Sequence, residues 1–270
     1  MTVQCWIPCK NKSLFSVCYQ PKKDIKAGVI IVPGFSQPKC DVDYIMSRLA
    51  RRFEENGIFV LQMDPRGHGD SPDNLEDVTI NTIREDIKYG IWYLKNSLNK
   101  NVPIYGVSRG LNAAILAENH QLNGVAAISP YCLNPKNIET IWGNIDEKVI
   151  EISDVISKNT VMIKAFFDST GSRETNYLGQ KISVELLNEL KEYSSIENLC
   201  YWNNKGLWLF YDENSDKEIK RYIFKDKDLY IDLDIYADKS LPRKALWQHN
   251  AIESIVSWIN SNIESELGGI

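Results

Sequence analysis

Residues 102–114 read Val102-Pro103-Ile104-Tyr105-Gly106-Val107-Ser108-Arg109-Gly110-Leu111-Asn112-Ala113-Ala114, and the rest of the chain is organised around this stretch. An apolar run leads into it and an alanine-rich helical pattern leads out. Gly106-Val107-Ser108-Arg109-Gly110 is therefore a G-x-S-x-G sequence at a strand–turn–helix junction. That setting reads as an elbow, a sharp and strained turn that presents a serine hydroxyl. Glycines flank the serine because side chains there would collide with the adjoining strand and helix. The competing reading is an ordinary glycine-rich strand–helix turn, since a pentapeptide recurs by chance.

Working outward, segments 3–9 and 14–20 read as an opening antiparallel pair of strands. Residues 27–32 (AGVIIV) are a continuous apolar run, as in a strand buried on both faces, and end in the turn Pro33-Gly34-Phe35-Ser36-Gln37. A helix follows over 44–55, with Tyr44, Ile45, Leu49 and Phe53 on one face and Asp41 or Asp43 placed to cap it. Residues 58–63 form a second buried strand, which runs into Asp64-Pro65-Arg66-Gly67-His68-Gly69-Asp70-Ser71. An amphipathic helix covers 79–98, a strand 102–107, a helix 111–119 and a strand 124–128. Alternation lapses from 135 to 199, returns as strands at 207–211 and 229–235, and closes with a helix over 252–263.

This pattern predicts an α/β fold: a mostly parallel eight-stranded sheet with helices on both faces. Residues 1–134 and 201–270 form its core. Residues 135–200 are too long for an ordinary loop and too patterned for a linker, so they read as an inserted helical lid.

Composition narrows the function classes. The 270 residues are 43% hydrophobic and 25% charged, enough for a full core. A formal net charge of −5 lacks the basic footprint of a nucleic-acid binder. No signal-peptide pattern follows Met1, and no apolar run is long enough to span a bilayer, so the expectation is a soluble, cytoplasmic protein. The six cysteines have no C-x-x-C pairing or zinc spacing and read as reduced, mostly buried thiols.

The order of motifs resembles the α/β-hydrolase family along nearly the whole chain, closest to its serine-aminopeptidase-like and monoglyceride-lipase-like branch. Three matches carry the resemblance: the glycine turn Pro33-Gly34-Phe35 after the third strand, D-x-R-G-H-G-x-S from Asp64 to Ser71 after the fourth, and the 106–110 elbow after the fifth. The resemblance implies a triad in the chain order Ser, Asp or Glu, His. Ser108 is then the nucleophile, and a serine hydroxyl needs an adjacent base. The chain has three histidines. His68 lies in the Arg66–Gly69 turn, where a structural hydrogen bond suits it, and His120 falls at the far end of the helix after the elbow. His249, between the last strand and the closing helix, sits where the family keeps its base; its plainer reading is a loop histidine at a helix N-terminus.

The acid is expected after the seventh strand, where it would hold the imidazole tautomer. Family loops there read glycine, two or three residues, then aspartate. Asp212 stands near the glycine's place, so Asp216 is the best match, ahead of Asp212 and then Glu213. The oxyanion donors are the backbone N–H groups of Arg109, at a helix start, and Phe35, after Gly34. The Arg109 side chain either attracts an acidic substrate or carrier, or forms a salt bridge to the lid or Asp70. Trp142, Phe166, Phe167 and Tyr177 either line an acyl pocket or pack the lid onto the sheet.

The leading expectation is a serine hydrolase that cleaves a small-molecule or carrier-bound ester or thioester through an acyl-enzyme, with no metal or organic cofactor. An acyltransferase uses the same triad with an amine, alcohol or carrier thiol as acceptor. An amidase or peptidase is a third reading. A non-catalytic scaffold that binds a ligand or partner is the reading from a different class.

Overall fold

The structure is a computed structural model describing residues 1–41, 44–98, 101–130, 149–151, 181–193, 205–209 and 245–267. Strands β1 (Thr2–Cys9) and β2 (Lys12–Tyr19) form the antiparallel opening pair. They are followed by β3 (Ala27–Ile31), α1 (Ile45–Glu55), β4 (Ile58–Met63), α2 (Ile80–Ser97), β5 (Ile104–Arg109), α3 (Gly110–Ala117) and β6 (Gly124–Pro130). The later described elements are the short strands β7 (Val149–Glu151) and β8 (Lys181–Ser183), helix α4 (Val184–Glu192), strand β9 (Lys205–Leu209) and helix α5 (Ala245–Leu267).

The main sheet has seven described strands in the order β1-β2-β4-β3-β5-β6-β9. β2 meets β4 antiparallel, and every later neighbour is parallel. The chain leaves β3 for β4 on one side, then crosses back to β5 on the other. That reversal makes the carboxyl ends of β3 and β5 a topological switch point, the place where open α/β sheets receive ligands in a crevice.

Period-two alternation distributes the core. Val29 and Ile31 of β3, with Tyr105 and Val107 of β5, face a cluster built from α1 and α5. Ile30 faces the cluster built from α2 and α3. Every residue of β3 and β4 is buried, which explains their apolar character apart from Gln62, whose amide accepts from the Tyr19 hydroxyl and donates to the Lys39 carbonyl. Gly90 lets α2 lie close to the sheet: a Cβ there would sit 2.6 Å from Met63 Sδ and 2.8 Å from Ile30 Cδ1. Thr79 caps α2; its hydroxyl accepts from Thr82 N–H (3.1 Å), and Thr82 returns the bond to Thr79 N–H (2.9 Å).

Three expectations shift. The strand expected at 102–107 runs from Ile104 to Arg109, because pairing with Ala127 and Ile128 of β6 carries it two residues further. The closing helix begins at Ala245, so His249 lies inside it, not in the loop before it. Helix α1 carries no side-chain cap: Tyr44 takes the N-cap position in a left-handed conformation, and Asp41 is engaged elsewhere. Asp43 lies outside the described residues.

The eighth strand, expected at 229–235, lies outside the described residues. Within the expected helical insertion, β7 and β8 pair antiparallel and α4 follows them. Ile182, Leu186, Leu190 and Tyr193 join the core cluster of α2, so this end of the insertion packs on the sheet's helical layer. The rest of 135–200 lies outside the described residues apart from 149–151.

Candidate functional site at the carboxyl edge of the sheet

Three turns meet beyond the carboxyl ends of β3, β4 and β5. The D-x-R-G-H-G-x-S turn after β4 is a structural brace. Asp64 is fully buried. Its carboxylate accepts from Lys39 N–H and from Asp70 N–H (3.0 Å), and it pairs with Lys39 Nζ at 3.2 Å. Burial holds its carboxyl above the usual carboxylate range, against the pull of these donors. Gly69 is required here, since a Cβ would stand 2.3 Å from Asp64 Oδ2. Arg66 donates Nε–H to Asp86 Oδ1 (2.7 Å) and Nη2–H to Glu85 (2.6 Å), tying the turn to α2. Ser71 Oγ donates to the Asp64 carbonyl (2.6 Å) and accepts from Phe15 N–H (2.8 Å).

His68 has the structural role expected of it. It is 2% exposed; Nδ1–H donates to the Arg66 carbonyl (2.8 Å), and Nε2 accepts from Ser36 N–H (2.9 Å). Burial pushes its imidazole down to about 4, so the ring is neutral and this tautomer is the one both bonds require. It also meets Phe35 edge-to-face at 5.5 Å. The histidine thus fixes the glycine turn after β3 from one side.

Arg109 and Asn112 fix that turn from the other side. Asn112 Nδ2 donates to the Pro33 carbonyl (2.9 Å). Arg109 Nε–H donates to Asp41 Oδ1 (2.9 Å), with Nη2 at 2.8 Å from the same oxygen. Gly34 N–H donates to Asp41 Oδ2 (2.6 Å). The side chains of Arg109 and Asp41 are 4% and 0% exposed. Gly34 lies flat against this ion pair, since a Cβ there would be 2.9 Å from Arg109 Nη2. The bridge to Asp41 replaces the expected salt bridge of Arg109 to Asp70, and Asp70 pairs with Lys39 (2.6 Å). Asp41 and Asn112 were not singled out from sequence as site residues. Asp41 read only as a helix cap, and nothing local marks Asn112.

Ser108 lies within β5, opposite Ala127, and is fully buried. Its Oγ has no hydrogen-bond partner among the described residues, so it is not joined to His249. Alternation places it on the face of Gly106, where an added Cβ would press on Leu116 at 2.7 Å. Arg109, the N-cap of α3, is still extended (φ −133°, ψ 149°). The left-handed residue of the β5–α3 turn is Gly110, at φ 60°. The pivot therefore falls two residues after Ser108.

His249 is exposed on α5, while its neighbour Gln248 turns inward to accept from Arg48. Glu253 is held low mainly by Arg52, with a smaller contribution from His249. His120 is exposed beyond α3, as expected. Phe35 is buried beside His68. Asp212, Glu213, Asp216, Trp142, Phe166, Phe167 and Tyr177 lie outside the described residues. Among the described residues no group of His, Cys, Asp or Glu gathers in a metal-binding arrangement, and no helix is long and apolar enough to cross a membrane.

A mostly parallel sheet with this strand order, flanked by helices and with three turns at its carboxyl edge, is the α/β-hydrolase fold. The solved α/β hydrolase GrgF from Penicillium sp. superposes with a TM-score of 0.70 at 15% identity, covering 98% of each chain. Est1E from Butyrivibrio proteoclasticus, solved with ferulic acid bound, gives 0.68 at 15% identity over 95% of this chain and 99% of its own. Carboxyl esterases and a lipase share the fold. In sequence the chain is similar to a polyketide transferase of Gibberella fujikuroi, 29% identical over 153 residues, which is 54% of this chain and 44% of that protein. The chain thus matches less than half the length of that relative. No protein-family model matches it.

Proposed function

We propose that this chain binds an acyl ester or thioester in the carboxyl-edge crevice without forming an acyl-enzyme on Ser108. The observation that carries this reading is the place of the pivot. A nucleophile elbow puts its serine on the strained residue of the strand–helix turn. Here that residue is Gly110, which has no side chain to attack with, while Ser108 is buried one layer down in the strand. Among the described residues the glycine turn, the brace that holds it and the start of α3 are in place. Support for the ligand class comes from the names of proteins this chain is similar to, a polyketide transferase and a carboxyl esterase. The four described cysteines are free thiols, which agrees with a reducing, cytoplasmic setting.

The second reading is the hydrolase of the sequence motif, supported by G-x-S-x-G at the junction of β5 and α3 and by the resemblance to the monoglyceride-lipase-like branch. In it Ser108 Oγ attacks the acyl carbonyl while His249, oriented by Asp216, takes its proton. The N–H groups of Phe35 and Arg109 hold the oxyanion, and Trp142, Phe166, Phe167 and Tyr177 line the acyl pocket. His249 returns the proton to the leaving alcohol or thiol, and water releases the acyl group. In the acyltransferase version, an amine, alcohol or carrier thiol replaces water. This reading requires Ser108 to leave its buried position and meet a base that stands exposed on α5.

Fluorophosphonate labelling read by intact mass separates the two, alongside titration with an acyl-pantetheine analogue whose thioester sulfur is replaced by methylene. Saturable binding that survives Ser108→Ala, with no adduct on the wild-type chain, is the expected result. A single adduct that disappears in Ser108→Ala would overturn it in favour of the hydrolase.

A further inference from the structure

We propose that Cys5 and Cys18 form a reversible dithiol–disulfide site at the β1–β2 edge of the sheet. In the register of that pair Cys5 faces Ser16 and Cys18 faces Val3, so the two cysteines are diagonal neighbours on one face. Their sulfurs stand 3.1 Å apart, within hydrogen-bonding contact. A disulfide needs a separation of about 2.05 Å, so closure brings the sulfurs about 1 Å nearer and draws the two strands together at this diagonal. Both residues are half-buried and so within reach of a small oxidant. They lie over the α2 side of the sheet, packed against its core cluster, with Tyr93 of α2 beside them.

The two thiols are unequal. The Cys18 thiol, followed by the Tyr93 hydroxyl, favours the Cys5 thiolate and holds its titration low against the effect of burial. Cys18 is pushed up by the same contact and by burial. Cys5 is therefore the sulfur that reacts first and Cys18 the one that resolves it. With a hydroperoxide, the Cys5 thiolate takes the terminal oxygen, becomes a sulfenic acid and releases an alcohol or water. Cys18 sulfur then attacks Cys5 sulfur, and the hydroxyl leaves as water with the Cys18 proton. Two thiols are oxidised by two electrons, the peroxide is reduced, and a dithiol reductant reverses the step.

Cys9 supplies an internal contrast. It is buried on the same strand, hydrogen-bonded to Asp86 (3.6 Å) and pushed up to about 11 by burial and that carboxylate, so it is inert. Cys40 is raised by burial as well.

The test treats the full chain with hydrogen peroxide at stoichiometric to tenfold excess and reads intact mass and non-reduced peptide maps. The expected result is loss of two hydrogens, one Cys5–Cys18 linked peptide pair, restoration by dithiothreitol and an upward shift in thermal midpoint while oxidised. In Cys18→Ser, Cys5 should stop at the sulfenic acid and become trappable with dimedone; circular dichroism checks that this variant is folded. Dimedone trapping of Cys5 in the wild type as strong as in Cys18→Ser would overturn the proposal. So would a linkage that involves Cys9 or Cys40, or no linkage at peroxide levels that oxidise Cys40.

Discussion

Removing the carboxylate of Asp41 should be among the most damaging single changes in the carboxyl-edge site. Arg109 keeps only 4% of its side chain in contact with solvent, and its Nε and Nη2 both lie within 2.9 Å of Asp41 Oδ1. Asp41→Ala takes away the carboxylate held by Nε and Nη2 of the buried Arg109 guanidinium and removes the acceptor of Gly34 N–H. Breaking a buried pair from one side costs about 3–5 kcal/mol, and a newly unsatisfied buried N–H adds roughly 1–3 kcal/mol. Together these take up a large part of the ~5–15 kcal/mol by which a typical domain is stable. Arg109→Met, which keeps the volume of the stem, should cost a similar amount by removing the guanidinium paired with the buried Asp41 carboxylate. The double variant should cost clearly less than the two singles combined, with a coupling of at least about 2 kcal/mol, because both members of the buried pair are then removed together. The assay is urea unfolding followed by tryptophan fluorescence, with the slope checked for constancy across the four proteins. A loss below about 1 kcal/mol for Asp41→Ala, or an additive double variant, would refute the argument that this ion pair holds the glycine turn.

The neutral His68 makes stability fall on the acid side: its folded value of about 4 lies below 6.5, so the unfolded chain takes up the proton first. The contribution is complete above about pH 6.5 and is lost as pH falls towards 4, up to roughly 3 kcal/mol; His68→Gln should flatten that segment of a chemical-denaturation pH profile, and an unchanged profile would show that another group carries it. At the turn, Ser108→Ala should be neutral or slightly stabilising, since it deletes a buried hydroxyl with no partner among the described residues, whereas Gly110→Ala should cost about 1–2 kcal/mol by forcing a Cβ into the left-handed region. Equilibrium denaturation compares the two, and a larger loss at Ser108 would place the strained residue there.

Much of the layer structure was legible in the sequence because its causes are local. The apolar runs at 27–32 and 58–63, the second interrupted only by Gln62, read as strands covered on both sides, and β3 and β4 lie there with every residue buried. The face of α1 carrying Ile45, Leu49 and Phe53 follows from helical spacing, and these residues are in the core, whereas Tyr44, expected on the same face, is the exposed N-cap residue. His68 was legible in role as well, since a histidine between two glycines in a tight turn has backbone groups within reach of both ring nitrogens.

Other features depended on residues far apart in the chain. The order β4-β3-β5, which makes the switch point, is set by which strands pair, and no stretch of sequence states it. Asp41 lies 68 residues from Arg109, and only their burial together turns a candidate helix cap into the anchor of the glycine turn. Cys5 and Cys18 look like scattered thiols until the β1–β2 register brings their sulfurs together.

The elbow itself divides along the same line. The residues 106–110 by themselves determined that a strand gives way to a helix through a glycine-bearing turn. Where the turn pivots was decided by how far β6 holds β5 in register, which carries the strand to Arg109 and leaves Gly110, not Ser108, at the left-handed position. Backbone pairing is a tertiary quantity: it extends or ends a strand according to what lies beside it, and a one-dimensional pattern carries no record of that neighbour.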